Sequence, residues 1–263
     1  MLGLLNELAT ARGAGVRVAI VDSGIQADHP WVGGRLVASF QVKSDNSVKE
    51  GPANDVFGHG TACAGQIRRF APEADLISVQ VLGSNLRANS QSLLTALRWL
   101  TTQNIHLINL SLSTMREQLA LRMSHAVDDL YANNVTCVCA RGYHRTGKAY
   151  PTNFSGTVGV SFKELHPGRV ALRPRDNTAF DAAGIKVRVA WSESGTREVD
   201  GSSFACPLVT GLSARLLSLR PSLTPYELKS HLKAYAERQA AGWWEDWMEE
   251  VGKDPVAVAM APV

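Results

Sequence analysis

The sequence predicts an α/β fold of three layers, with a central, mostly parallel β-sheet flanked by helices. Three observations carry that reading. Short apolar runs at residues 16–21, 76–82 and 135–140 have the length and branched-residue content of strands buried on both faces. Longer stretches of helical spacing separate them, and a strand-helix-strand rhythm demands parallel pairing because the connection must cross the sheet. The chain of 263 residues, 45% hydrophobic and 19% charged, is long enough to bury both faces of one large sheet. It reads as one domain over 1–263, with a Trp-rich acidic tail at about 240–263.

Taken in order, residues 2–12 have apolar side chains at helical spacing and predict a short helix, which Gly13 and Gly15 break. Residues 16–21 follow as the first central strand, ending on Asp22. Residues 33–37 read as loop then strand, with His29 in the loop before them, and the polar, turn-rich residues 43–55 read as a surface loop. An apolar helix opens at His59. Residues 76–82 form a strand, 90–103 a helix burying Leu93, Leu94, Leu97 and Leu100, and 107–112 the next strand. Residues 115–133 are helical and 135–140 are a buried strand. Residues 157–160, 180–184 and 187–190 read as the last strands. Residues 197–201 lead to a buried helix beginning near Ser203, with Pro207 in its first turn, where a missing N–H is harmless. A Pro-initiated outer helix follows residue 221.

Composition narrows the function. The formal charge of +3 and the lack of a long basic run give no phosphate-tracking surface, so no nucleic-acid partner is expected. The amino terminus has no basic segment before its apolar residues and does not read as a signal peptide, and no membrane-spanning run is found. Cys63, Cys137, Cys139 and Cys206 lie in apolar segments without metal-ligand spacing, so they read as buried free thiols, with no metal and no cofactor expected. These features favour a cytoplasmic location. Trp243, Trp244 and Trp247 alternate with acidic residues and read either as a tail folded onto the domain or as a docking site for a partner.

The segment Gly201-Ser202-Ser203-Phe204-Ala205-Cys206-Pro207 places a hydroxyl at the start of a buried helix, where free N–H groups and the helix dipole stabilise developing negative charge. Taken alone, a Ser at a helix start is usually only a cap. Two other stretches bear on the choice: Asp22-Ser23-Gly24-Ile25 at the end of a buried strand, and His59-Gly60-Thr61-Ala62-Cys63-Ala64-Gly65 opening a helix. These three blocks, in the order Asp, His, Ser, resemble the motif blocks of the subtilisin-like serine proteases, the subtilases of peptidase family S8. The resemblance runs from about residue 16 to about residue 235.

The resemblance implies a subtilisin-like fold and an acyl-transfer endopeptidase. Ser203 would be the nucleophile, His59 the general base and acid, and Asp22 the group that orients the imidazole. It also implies that the segment Leu110, Ser111, Leu112 and Ser113 pairs with an extended substrate and walls its first pocket, with Ala140, Arg141 and Gly142 also binding substrate; Ser113 replaces the family's usual Gly. At the position of the family's oxyanion-binding Asn stands Tyr143. Its phenol is set further out than an amide, and loss of one such donor typically lowers turnover about 10²- to 10³-fold. His144, Arg145 and Lys148 form a short basic loop that either favours an acidic substrate residue or is a solvated turn. The Asn-rich calcium loop of many secreted members has no room between residues 66 and 75. With few residues before Asp22 there is also no room for a propeptide, so the chain resembles a compact intracellular member. The expected activity is slow, selective processing of a peptide or protein precursor. The alternative is a catalytically impaired peptide-binding protein on the same fold.

Overall fold

A computed structural model describes residues 7–8, 10–141, 148–166, 168–173, 179–191 and 194–240. The strands are β1 (Arg17–Asp22), β2 (Leu36–Val42), β3 (Val48–Glu50), β4 (Asp75–Gln80), β5 (Leu107–Leu110), β6 (Thr136–Ala140), β7 (Thr157–Lys163), β8 (Val170–Leu172), β9 (Ala179–Ala183), β10 (Val187–Ala190) and β11 (Thr196–Val199). The helices are α1 (His59–Phe70), α2 (Ser90–Leu100), α3 (Ala120–Ala132), α4 (Ser202–Leu219) and α5 (Pro225–Ala240).

Nine strands form one sheet in the order β3-β2-β4-β1-β5-β6-β7-β9-β8. Only the edge pairs β2–β3 and β8–β9 are antiparallel. In β1 the pleat sends Val18 and Ile20 into one core and Ala19 and Val21 into the other. The first core also takes Ile67 of α1, Val209 of α4 and Leu232 of α5; the second takes Leu93 and Leu97 of α2 and Met123 of α3. This produces the three layers that the apolar strands require, since neither face of the sheet can be left in water. The chain builds β2, β3 and β4 on one side of β1 and then crosses to β5 on the other. Such a reversal opens a crevice at the carboxyl ends of the two central strands, where ligands bind in sheets of this kind. Asp22 ends β1 there, and Ser111 directly follows β5.

α4 is largely buried. Its 18 residues have a mean hydropathy of 1.2, long and apolar enough to cross a membrane, although the sequence reading found no such run; 83% of it is buried inside the protein. α5 opens with a reciprocal cap, in which Thr224 N–H donates to Glu227 Oε2 at 2.9 Å and Glu227 N–H to Thr224 Oγ1 at 3.3 Å.

Several boundaries depart from the sequence reading. Residues 43–55 are not all loop: β3 pairs with β2 across a turn held by Asp45, whose Oδ1 accepts from Ser47 N–H at 2.9 Å. β5 ends at Leu110, two residues early. The helix expected over 115–133 begins at Ala120, after a single 3₁₀ turn at Glu117–Leu119, and α2 stops at Leu100 rather than 103. β8 was not foreseen. β10 is not a strand of the large sheet but pairs with β11 in a separate antiparallel hairpin. His29 is a turn residue but a buried one, with Nε2 3.0 Å from Gly195 O in that hairpin's turn. The predicted amino-terminal helix falls largely outside the described residues, as does the Trp-rich tail.

Candidate active site

β1 delivers Asp22 to the crevice with only 1% of its surface exposed. α1 begins at His59, so the two side chains meet only if the strand end and the helix start approach closely. Two glycines permit it. A Cβ on Gly60 would lie 2.0 Å from Gly24 O, and one on Gly24, whose φ is +107°, would lie 2.2 Å from Asn54 O. With both absent, His59 Nδ1 sits 2.8 Å from Asp22 Oδ1 and 2.9 Å from Oδ2. Ser23 N–H donates to Asp22 Oδ1 at 2.8 Å and fixes the carboxylate from behind.

This pairing sets the imidazole's chemistry. Burial disfavours its charged form, but the Asp22 carboxylate, through its charge and hydrogen bond, and Cys63 together more than offset burial, and the His59 pKa is raised well above 6.5. With Nδ1 donating to Asp22, the lone pair of neutral His59 is on Nε2, which is the form a proton acceptor needs. Phe204 packs against the ring at a centroid distance of 5.3 Å.

Ser203 occupies the second position of α4, after Gly201 at φ 142°. Gly201 N–H is fastened to Gly184 O at 2.7 Å, which hangs the start of α4 on the end of β9. Ser203 N–H has no acceptor among the described residues and lies in the turn where helix donors are unclaimed. Ser203 Oγ donates to Ser111 O at 3.1 Å, and among the described residues it makes no hydrogen bond to His59. Attack by this oxygen therefore requires it to leave Ser111 O.

Pro207 lies in the second turn of α4, not the first, because the helix begins at Ser202. Its missing N–H leaves the carbonyl four residues back, that of Ser203, without its helical donor. Ser111 Oγ fills the gap at 2.9 Å, with Cys63 Sγ at 3.5 Å. Ser111 Oγ in turn accepts from Asn109 Nδ2 at 3.1 Å, and Asn109 Oδ1 accepts from Thr210 Oγ1 at 2.9 Å. A buried polar chain thus ties β5 to α4 beneath Ser203.

The structure brings Asp22, His59, Ser203 and Ser111 together. Leu110 is buried within β5, while Leu112 and Ser113 continue beyond it, partly exposed. Ala140 ends β6, and Arg141 follows, its N–H donating to Val160 O at 2.6 Å. Burial lowers the Arg141 pKa, with Arg173 adding to the effect and Asp181 opposing it. Tyr143, Gly142, His144 and Arg145 lie outside the described residues. The four cysteines are free and buried. Cys63 lies closest to the site: with Asp22 and His59 it forms a set of donor atoms all within 4.8 Å of one another. Burial, with Asp22 adding, raises the Cys63 pKa, so the thiol stays protonated while Asp22 and His59 are already bonded to each other.

Asp55, Asn109 and Thr210 were missed by sequence reasoning. Asp55 is the most consequential. α1 has no side-chain cap at Gly58, and the Asp55 carboxylate replaces it, accepting from Phe57 N–H at 2.9 Å, Gly58 N–H at 2.8 Å and Thr61 N–H at 2.8 Å. The signal available was an Asp shortly before an apolar helical run.

Comparison with known proteins gives a consistent picture. The family model described as "Subtilase family" matches residues 13–172 and 173–247. Subtilisin Savinase of Lederbergia lenta is 30% identical over 233 residues, 84% of this chain and 83% of that protein. M-protease of Shouchella clausii is also 30% identical over 84% of this chain, but the match spans only 59% of its length. Among solved structures, Sphericase superposes with a TM-score of 0.73 at 23% identity, covering 84% of this chain and 83% of its own. A cold adapted subtilisin-like serine proteinase superposes with a TM-score of 0.68 at 23% identity, covering 84% and 81%.

Proposed function

The chain belongs to the subtilase family of serine endopeptidases, and on that premise we propose that it cleaves a peptide or protein precursor through an acyl-enzyme on Ser203. The observation that carries this reading is the His59 Nδ1 to Asp22 contact at 2.8 Å, set beside a serine at the start of α4. His59 Nε2 takes the Ser203 proton as Oγ bonds to the scissile carbonyl carbon, and returns it to the leaving amine as the peptide C–N bond breaks. Water then repeats the sequence on the acyl-enzyme. Asp22 holds the imidazole tautomer and stabilises its charged form, and Ser203 N–H donates to the oxyanion.

Tyr143, at the family's Asn position, makes this a slow and selective enzyme rather than a general digestive one. Four buried cysteines left as free thiols favour a cytoplasmic site of action, and the Trp-rich tail is a place for a partner to dock. A second reading, a peptide-binding protein that does not cut, draws on the Ser203 hydroxyl resting on Ser111 O. Fluorophosphonate labelling followed by intact mass, on the wild type and on Tyr143→Asn, separates the two. The protease reading expects slow labelling of the wild type and a rate about 10²- to 10³-fold higher once an amide donor is restored. Inertness of both proteins supports the binding protein.

A further inference from the structure

We propose that Asp55 is a positioning residue for the Asp22–His59 pair, binding the turn after β1 to the first turn of α1 so that carboxylate and imidazole stay in register. This inference rests on the protease reading for its consequence in activity, but its geometry stands apart from it.

The two partners come from different elements, and their contact is only as well defined as the joint between those elements. Asp55 makes that joint. Its Oδ1 accepts from Ser23 Oγ at 2.7 Å, from Phe57 N–H at 2.9 Å and from Gly58 N–H at 2.8 Å. Its Oδ2 accepts from Thr61 N–H at 2.8 Å and Thr61 Oγ1 at 2.7 Å. Ser23 is next to Asp22, and Gly58 is next to His59. The circuit closes because Ser23 Oγ, having given its proton to Asp55, accepts from Gly60 N–H at 3.0 Å. Its backbone N–H meanwhile holds Asp22 Oδ1. One charged group thus fixes the residues flanking both members of the pair, and hydrogen bonds to an ionised acceptor are stronger and shorter than neutral ones. A cap alone would need only the helix N–H groups. The bond to Ser23 adds nothing to the cap and serves the joint.

Asp55→Asn tests this. An amide keeps one acceptor but turns its NH₂ toward N–H groups that have no acceptor capacity, so the five-donor arrangement cannot be kept. A misplacement of about 1 Å at reacting groups lowers rate about 10²-fold, so the expected fall in the rate constant for fluorophosphonate labelling of Ser203 is about 10- to 100-fold. The second readout is the His59 pKa, followed by ¹⁵N NMR of the imidazole. Among the described residues, the titratable groups facing the ring are Asp22 from β1 and Cys63 one turn along α1, and Phe204 of α4 packs against it without charge. Loosening the contact with Asp22 lets the raised pKa fall toward 6.5, and the acid limb of the labelling rate moves to lower pH with it.

A purely structural role would lower the melting temperature and leave that pKa in place. Should Asp55→Asn not fold, Ser23→Ala keeps the three N–H contacts of the cap and cuts both bonds from Ser23 Oγ, the link from Asp55 to β1 and the contact with Gly60 N–H, and it carries the same two expectations. A folded variant of either kind that labels at the wild-type rate, with His59 titrating as in the wild type, overturns the proposal. A wild type that does not label defeats the protease reading instead, and the NMR comparison still decides the role of Asp55.

Discussion

Replacing Ser111 with Ala removes a hydroxyl that serves three buried partners at once. Ser203 O loses a donor at 2.9 Å, Asn109 Nδ2 loses its acceptor at 3.1 Å, and the Cys63 thiol loses a contact at 3.4 Å. Each buried polar group left without a partner costs about 1–3 kcal/mol. Cys63 remains 3.5 Å from Ser203 O as a weak substitute, so the carbonyl sits at the low end of that range and the Asn109 amide in the middle, for a total of about 2–4 kcal/mol. For a protein of this size that is a fall in melting temperature of about 4–16 °C. Urea denaturation of both proteins at equal m-value measures it.

The cause assigned here is specific, because Ser203 O is unclaimed only on account of Pro207. In a Pro207→Ala background the helix supplies its own N–H, and the loss from Ser111→Ala should shrink by about 1 kcal/mol or more in a double-mutant cycle. A loss below about 0.5 kcal/mol, or one unchanged by Pro207→Ala, would refute the reasoning.

Four further outcomes follow from the structure. Labelling of Ser203 needs neutral His59, so its rate should fall on acidification through a midpoint above 6.5, whereas a midpoint at or below 6.5 would mean that Asp22 does not act on the ring. The stability that the charged pair contributes has the opposite sign: it is fully present below the unfolded histidine value and is lost as pH rises through the raised folded one, which denaturation midpoints across that window would detect. Gly60→Ala should destabilise the protein by about 3 kcal/mol, the upper part of the range for overpacking, because the new methyl meets backbone at 2.0 Å; a melting temperature within 2 °C of wild type, on the scale of about 2–4 °C per kcal/mol, contradicts the close approach. Burial pushes the Cys137 thiol up to about 12 and buries the other three thiols as well, so iodoacetamide at pH 8 should modify none in the native protein and all four after unfolding, as counted by mass.

Much of this fold is legible in the sequence for physical reasons. β1 and α4 announce themselves because a strand or helix buried on nearly every side is mostly apolar, and Asp22, His59 and Ser203 stand out as polar residues at the end of β1 and at the starts of α1 and α4. What stays hidden is decided by partners distant in the chain. Asp55 looks like any acidic loop residue until Ser23, 32 positions earlier, is brought against it. The role of Ser111 depends on a carbonyl freed by Pro207, and that effect appears only once α4 is known to start at Ser202. β10 and β11 have the composition of sheet strands, and only the path from Gly184 to Gly201 makes them a hairpin of their own.

The measurement closest to the central claim is intact mass after prolonged exposure to a fluorophosphonate, with the wild type and Ser203→Ala side by side. The account predicts a single adduct on the wild type and none on the variant. A folded wild type that gains no adduct, or a variant that gains the same one, would contradict it.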